Sequence, residues 1–543
     1  MSENDYVGLR SWPAQVPRML KYPDVPLHEI LRKVAREQGK NTAISFCNAN
    51  TNYAELNEQS DKFAASLSRL GVTKGDRIAI YLPNIPPFII SYFGVMKAGG
   101  VVTAISPLHR ERELKHQLCD SGAEIIVTID SLYPIAANVW DKTRLRMAVI
   151  TNIGDSATKL SEKRNVYPYH QMMDISDDAP KLKFTPAEDL AALQYTGGTT
   201  GIAKGAMLTH RNLVANAVAF ATWIASTAKD TFLTALPLFH IYGMTTSMNA
   251  PISIAAKMVL LPRFDAENAL NAIQQHKATV FCGVPTMYAS LLAQPNLNGY
   301  NLTSIRVCIS GASPLPFAVQ KRFMEITGGL LAEGYGLTEA SPVTHCTPVD
   351  NKKKLRVGSI GFPLPDTDAC ILDLETSTRR VKPGELGELS VRGPQVMKGY
   401  WNNQRETILV LRDGWLLTGD IARIDDEGYF YICDRKKDLI KYKDYSVYPR
   451  ELEDLLYEHL AVQLCAVIGK PDFTVGEIPK AFIVLKKNFQ VTEKEIVEFV
   501  KERVASYKWI REVEFREDLP VSSAGKVLRR VLQEQERNKL LRK

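Results

Sequence analysis

Short apolar runs separated by amphipathic stretches organise the first 310 residues of this 543-residue chain. Residues 77–82 (RIAIYL), 101–105 (VVTAI), 124–128 (EIIVT) and 147–151 (MAVIT) each have the length of one strand and are apolar on both faces. A strand apolar on both faces must be covered on both, which is the mark of a parallel sheet between layers of helix. The stretches 87–97 and 110–121 have the length and spacing of those helices. A second series at 231–236, 258–261, 279–282 and 306–310 repeats the pattern, so two helix-covered, mostly parallel sheets are predicted in one large lobe. From residue 357 to 432 the texture changes to short strands between Gly and Pro turns, as in Gly361-Phe362-Pro363-Leu364-Pro365, and predicts a small barrel-like sheet, placed at about 345–433. Beyond Asp434 a compact α+β pattern follows, with helices near 449–459, 493–505 and 525–539. The fold class is therefore α/β, with a large N-terminal lobe over 1–435 and a small α+β C-terminal domain over 436–543. No internal repeat or low-complexity tract interrupts it.

Composition narrows the classes rather than selecting one. A hydrophobic content of 45% is ordinary for a globular protein, and a formal charge of +7 is modest for this length. The basic residues are spread out, which suits small anions or lipid headgroups and argues against nucleic acid. Eight cysteines show neither a C-x-x-C pair nor metal-ligand spacing, and residues 1–18 lack a signal-peptide apolar core, so a reducing cytoplasm is the expected home. The most apolar stretch, 78–105, is broken by Pro83, Asn84, Pro86, Pro87 and Lys97 and reads as strand, helix, strand rather than as a membrane span. The basic end, 529–543, is either a solvated helix or a face lying against anionic lipid at the inner side of a membrane.

Candidate chemistry begins at Tyr195-Thr196-Gly197-Gly198-Thr199-Thr200-Gly201-Ile202-Ala203-Lys204-Gly205, which follows the apolar run 190–193. Four glycines let backbone N–H groups approach phosphate oxygens, three threonines add hydroxyl donors, and Lys204 adds a mobile charge. It is not a Walker A sequence, because Lys204 follows Ala203 and precedes Gly205. A second turn, Glu333-Gly334-Tyr335-Gly336-Leu337-Thr338-Glu339, follows the strand candidate 329–332, at the carboxyl end where open α/β sheets hold ligands. There Tyr335 has a face for a base, Thr338 a hydroxyl for an α-phosphate, and Glu339 a hard oxygen for Mg²⁺. Downstream, Asp413-Gly414-Trp415-Leu416-Leu417-Thr418-Gly419-Asp420 and Asp434-Arg435-Lys436-Lys437-Asp438 offer an acid for ribose hydroxyls with a base beside it. Last comes Pro520-Val521-Ser522-Ser523-Ala524-Gly525-Lys526-Val527-Leu528-Arg529-Arg530.

Together and in this order, these segments resemble the AMP-forming acyl-CoA synthetase family, relatives of firefly luciferase, 4-coumarate ligase and the adenylation domains of peptide synthetases. The resemblance runs from about Asn52-Tyr53-Ala54-Glu55-Leu56 to Arg530. Residues 414–437 look like the fatty acyl-CoA synthetase signature, and Gly393-Pro394-Gln395-Val396-Met397-Lys398-Gly399-Tyr400-Trp401 is similar to bacterial long-chain members. It implies that a carboxylic acid, expected to be a long-chain fatty acid, is joined to AMP and then to CoA, with ATP, Mg²⁺ and coenzyme A as cosubstrates and cofactor. It further implies that Thr196, Gly197, Gly198, Thr199, Thr200, Gly201 and Lys204 hold the β- and γ-phosphates. Gly311, Ala312, Ser313, Glu333, Gly334, Tyr335, Gly336 and Thr338 hold adenine and α-phosphate, Asp420, Ile432 and Arg435 the ribose, and Glu339 with Thr199 the Mg²⁺. Lys526 drives adenylation, with His240 near the reacting carboxylate. Tyr242, Gly243, Met244, Gly283, Gly311 and Gly336 shape the acyl tunnel, and Lys441, Lys443, Asp444 and Tyr445 line the path of the thiol. The C-terminal domain turns about a hinge at Lys437 between the two half-reactions.

One departure bears on the second half-reaction: the family pattern has glycine where this chain has Asp444. A carboxylate there narrows the thiol path, unless it points away, which Asp allows because it tolerates left-handed backbone. Gly198 for serine and Ala203 for proline are smaller departures. A medium-chain or aryl acid, a carrier-protein acceptor in place of CoA, and a nucleotide-binding sensor with impaired chemistry stay open at this point, as do a homodimer and peripheral membrane contact.

Overall fold

In a computed structural model of the chain, the described residues are 11–152, 165–196, 203–443, 445–472, 474–521 and 527–541. They divide into two compact units, one from Met1–Ala369 and Val391–Leu416, the other from Cys370–Ser390 and Leu417–Lys543.

The first unit contains both predicted sheets. One runs in the order Val166–Pro168, Met147–Thr151, Ile125–Ile129, Arg77–Tyr81, Val101–Ala104, Leu190–Thr196, Lys204–Thr209, parallel throughout except for the last pair. Its central strands are buried on both faces, as their unbroken apolar runs require: Ile125–Ile129 and Met147–Thr151 are buried at every position. The helix Pro86–Lys97 starts with proline at its first turn, where no N–H is needed, and is buried from Phe88 onward. Its terminal Lys97 is enclosed too, held by Asp61 at 2.9 Å, Ser60 Oγ at 2.8 Å and the Asn57 side chain at 2.8 Å. Burial pulls the Lys97 ammonium down to about 8 against the pull of Asp61. No described helix is long and apolar enough to cross a membrane.

The other sheet has nine strands, in the order Phe362–Pro363, Val343–Cys346, Leu330–Gly336, Val307–Ser310, Val280–Gly283, Thr231–Thr234, Lys257–Leu260, Thr42–Phe46, Ala49–Asn52. The interior strands are parallel, and the chain folds back antiparallel at both ends. This corrects the reach of the predicted barrel-like region: its first segments belong to the large sheet, because Tyr335 pairs with His345 and His345 with Pro363. Of the remaining strands, Asp368–Leu372, Gly387–Arg392 and Trp415–Ile424 run across the divisions between the units along the chain, Leu411–Arg412 falls in the first unit and Phe430–Arg435 in the second.

The second unit carries a sheet in the order Tyr445–Val447, Ile440–Tyr442, Gly476–Leu485, Val462–Asp472, with Glu512–Phe515 added to Gly476–Leu485. The helices Pro449–Tyr457 and Glu493–Lys501 supply Leu452, Leu456, Ile496 and Val500 to its core. Thr492 starts the second helix through a reciprocal bond with Glu495. The predicted division at 435/436 does not coincide with the edge of this unit. Residues 417–435 pack with the C-terminal part because Arg450 donates from its side chain to Ile432 O at 2.6 Å and from its N–H to Asp434 at 2.8 Å. The Arg529 guanidinium adds a bond to the same Asp434 at 3.3 Å.

Candidate active site

The glycine-rich segment closes a hairpin: Leu190–Thr196 and Lys204–Thr209 pair antiparallel, with Thr196 opposite Lys204. Gly197, Gly198, Thr199, Thr200 and Gly201 lie outside the described residues. A third stretch extends the ladder: Lys398 N–H donates to Met207 O at 2.9 Å, Met207 N–H to Gly399 O at 2.9 Å, and Trp401 N–H to Gly205 O at 2.8 Å. Backbone hydrogen bonds therefore place Tyr400 beside Lys204. The Tyr400 ring centroid is 5.2 Å from the Lys204 ammonium, which is ion-paired with Glu406. The Tyr400 hydroxyl donates to Glu339 Oε1 at 2.6 Å. Burial first, and then the charges of Glu339 and Glu406, push that phenol far above its ordinary range, so it remains a donor at any physiological pH.

Glu339 sits in a single helical turn, Thr338–Ala340, just after the strand Leu330–Gly336. Its carbonyl accepts from Met397 N–H at 2.8 Å, so both its backbone and its carboxylate are tied to the 397–400 stretch. This half-buried carboxylate of fixed orientation suits a hard cation, and Thr338 beside it is buried. No group of three or more His, Cys, Asp or Glu suited to a metal occurs among the described residues.

Glu333, expected near adenine, has a bracing role in this structure. Its carboxylate accepts from Leu315 N–H and Gly358 N–H, both at 3.2 Å, and its carbonyl accepts from Thr347 N–H at 2.9 Å. It thereby fixes the loop that holds Gly311, Ala312 and Ser313, where Ala312 adopts φ +71. A non-glycine residue held there stores strain that its surroundings must enforce. Tyr335 presents its ring edge-on to His345 at 6.0 Å. Gly336 has no room for a side chain, since a Cβ would come within 2.2 Å of Pro342 O.

His240 precedes the short helix Ile241–Met244 and accepts the Tyr242 N–H on Nδ1 at 3.2 Å. Burial lowers its pKa to about 4, so it is neutral at pH 7. With Nδ1 accepting, the proton sits on Nε2, which leaves a neutral donor for an oxyanion or carboxylate. The preceding turn is held by Asn84, which donates to Leu236 O and accepts from Leu238 N–H, each at 2.8 Å, and by Gln194, which donates to Phe239 O at 2.7 Å. Tyr242 donates to Ile309 O at 2.9 Å, with its ring filling the space beside Gly311, where a Cβ would lie 3.1 Å from it. Gly243 passes so close to Pro237 O that a Cβ would be 2.3 Å away. Gly283 abuts Phe281 and Tyr288, and Met244 is fully buried. The chain then makes a π turn over Thr245–Asn249.

In the second unit, Asp420 and Arg435 sit opposite each other in a hairpin, with Arg435 Nε 3.0 Å from Asp420 Oδ1. Ile432 pairs with Ala422 on the same ladder. Lys437 has its pKa lowered by burial. Lys441 donates to Ser446 Oγ at 3.0 Å, Lys443 turns the chain with φ +53, and Tyr445 stacks on Tyr507 at 4.5 Å between centroids. Asp444 and Lys526 lie outside the described residues. On either side of the latter, Val521 bridges Val527 and Leu528 N–H donates to Pro520 O at 2.8 Å.

Three contributors escaped the sequence reading: Asn84, Tyr400 and Glu406. Asn84 entered it only as an interruption of an apolar run. Tyr400 stood inside a quoted motif without a role, and a tyrosine followed six residues later by an acid has no periodicity that marks it.

The profile described as AMP-binding enzyme matches residues 31–401, and that described as AMP-binding enzyme C-terminal domain matches 451–526. The chain is 43% identical to a long-chain-fatty-acid–CoA ligase of Bacillus subtilis, over 97% of this chain and 98% of that one. It is 38% identical to one of Escherichia coli O157:H7, over 98% and 99%. Among solved structures, an anthranilate CoA ligase in complex with anthranoyl-AMP superposes with a TM-score of 0.86 at 26% identity, covering 95% of this chain and 98% of that one. ATP-bound MatB from Rhodopseudomonas palustris gives 0.84 at 29% identity, covering 94% and 99%.

Proposed function

The chain belongs to the AMP-binding enzyme family, and from that premise we propose that it activates a long-chain fatty acid as the acyl-adenylate and transfers the acyl group to CoA. In the first half-reaction a carboxylate oxygen attacks the α-phosphorus of ATP, the bond to the bridging oxygen breaks, and pyrophosphate leaves. In the second, the CoA thiolate attacks the acyl carbonyl, and AMP leaves with the electron pair of the mixed anhydride. The near full-length likeness to long-chain-fatty-acid–CoA ligases carries the reading of the substrate. The neutral His240 Nε2–H supports activation of a carboxylate, because it donates to the acyl carboxylate without forming an ion pair too strong to release.

In this reading residues 196–204 take the β- and γ-phosphates, Lys204 supplying the charge, and the 333–338 turn takes adenine and α-phosphate on loops braced by Glu333. Asp420, Ile432 and Arg435 hold ribose. Glu339, with Thr199, holds Mg²⁺, which when bound offsets the charge on the phosphates. Lys526 bridges carboxylate and α-phosphate, an effect worth roughly 3 to 4 kcal/mol where such preorganised charge is removed. One surface cannot serve both half-reactions, so the part beyond Lys437 turns and brings Lys441, Lys443, Asp444 and Tyr445 to the thiol. Each methylene buried in the acyl pocket contributes about 0.8 kcal/mol, so eight more carbons contribute roughly 6 kcal/mol if all are enclosed. AMP and acyl-CoA formation across an even-carbon fatty acid series tests this: efficiency should climb steeply to the long-chain members. A maximum at short chains, or AMP release only with aryl acids, would overturn it.

A further inference from the structure

The Lys204 ammonium, the charge that the phosphate loop offers to a nucleotide, is already engaged. Its partner is the Glu406 carboxylate, with the two side chains only 11% and 26% exposed. Glu406 is held from its own side, independently of the loop. Asn403 caps the helix Gln404–Val410 by accepting the Glu406 N–H at 3.2 Å, and Thr407 Oγ1 accepts the Tyr400 N–H at 2.9 Å. The ladder from 398 to 401 onto Lys204–Thr209 fixes that helix start against the lysine. Gly399 serves the same close approach: at φ +146, a Cβ there would fall 2.8 Å from the Thr407 methyl. Strand and capped helix together deliver one anion to one cation in a mostly dry place, where the attraction is far stronger than at a surface.

We propose that Glu406 is an internal stand-in for nucleotide phosphate, a carboxylate that holds Lys204 when the loop is empty and competes with ATP and pyrophosphate for it. The proposal rests on the reading above only in taking 195–205 as a phosphate loop. A phosphate must displace the carboxylate to reach Lys204, and the displaced carboxylate then adds a repelling charge nearby. Both effects weaken phosphate binding and favour departure of pyrophosphate. Glu406 is thus a positioning residue that acts through Lys204.

The test is equilibrium binding of MgATP and of magnesium pyrophosphate to the full chain, without fatty acid, by titration calorimetry. Glu406→Gln, which keeps size and cap but loses the charge, should tighten both by about tenfold, with cooperative unfolding kept but its midpoint lowered, because Lys204 loses its partner in the unliganded protein. In a Lys204→Met background the same change should shift binding less than about twofold, a dependence that a merely structural role does not produce. Should the amide variant fail to fold, Glu406→Ala is read in the same way. Unchanged or weaker binding by a folded Glu406→Gln protein, or an equal gain without Lys204, overturns the proposal. Acid-dependent exchange of labelled pyrophosphate into ATP by the unaltered protein is measured alongside. If that exchange is absent while the tenfold shift is present, the ligase reading falls and the role of Glu406 stands.

Discussion

Replacing Tyr400 with phenylalanine removes one oxygen and, with Glu339 proposed as the Mg²⁺ ligand, should weaken Mg²⁺ binding there. Tyr400 is 7% exposed, its backbone is fixed by the ladder to the Lys204 strand and by Thr407, and its hydroxyl donates to Glu339 Oε1 at 2.6 Å. A hydrogen bond to a charged acceptor contributes about 1.5–3 kcal/mol. Two consequences of losing it oppose each other. A carboxylate with one donor fewer is more basic and attracts a cation more, but it also loses its fixed orientation. Because the Glu339 backbone stays held by Met397 N–H at 2.8 Å, only the side-chain torsions are released. Partners of this kind typically matter by about 10- to 100-fold in metal affinity, so orientation should win, at the low end because water replaces part of the lost bond. Tyr400→Phe should therefore raise the Mg²⁺ concentration for half-maximal adenylate formation by about tenfold, or about 1.4 kcal/mol, with the fatty acid KM unchanged. Mg²⁺ titration at saturating ATP, with fluorescence-monitored unfolding as a control for folding, reads this directly. A midpoint within twofold of the unaltered protein, or a lower one, refutes the reasoning.

Further outcomes follow from the same geometry. Glu333→Gln leaves one amide oxygen to face two N–H donors and turns an NH₂ toward one of them, which should cost about 1.5–3 kcal/mol in urea unfolding and raise the ATP KM; wild-type values for both would show that the brace is idle. His210 and His345 at about 3 and His240 at about 4 stay neutral in the fold, while the unfolded chain binds protons from about pH 6.5 downward. Stability from these groups is complete above that pH and lost as pH falls through 4, so urea midpoints should decline between pH 6.5 and 4, and a flat profile there would contradict the assignment. Asp444→Gly should speed thioester formation relative to pyrophosphate exchange if the carboxylate obstructs the thiol, and no change would mean that it points away.

How much was legible depended on distance along the chain. The parallel strands were readable because burial on both faces leaves an unbroken apolar run, and Arg77–Tyr81 and Met147–Thr151 lie where those runs predict. The strand Thr42–Phe46 was not, since what makes it a strand is pairing with Lys257–Leu260, more than 200 residues away. The barrel-like texture was assigned too early because short strands with Gly and Pro turns look alike, whichever sheet their hydrogen bonds join. In the site, glycines, threonines and Lys204 advertise phosphate chemistry by composition alone. The pairing of Lys204 with Glu406 and of Tyr400 with Glu339 exists only once separate segments meet. A single Asn84 holding the His240 turn is likewise a tertiary fact, invisible to local pattern.

Lys526 is proposed to serve the first half-reaction, acyl-adenylate formation, and not the second. Measuring both halves separately in Lys526→Ala tests it most directly: acid-dependent pyrophosphate exchange for the first, and acyl-CoA formation from supplied acyl-adenylate for the second. Exchange should fall by about 10²- to 10³-fold, with thioester formation nearly unchanged. Exchange at full rate in the alanine variant would contradict it.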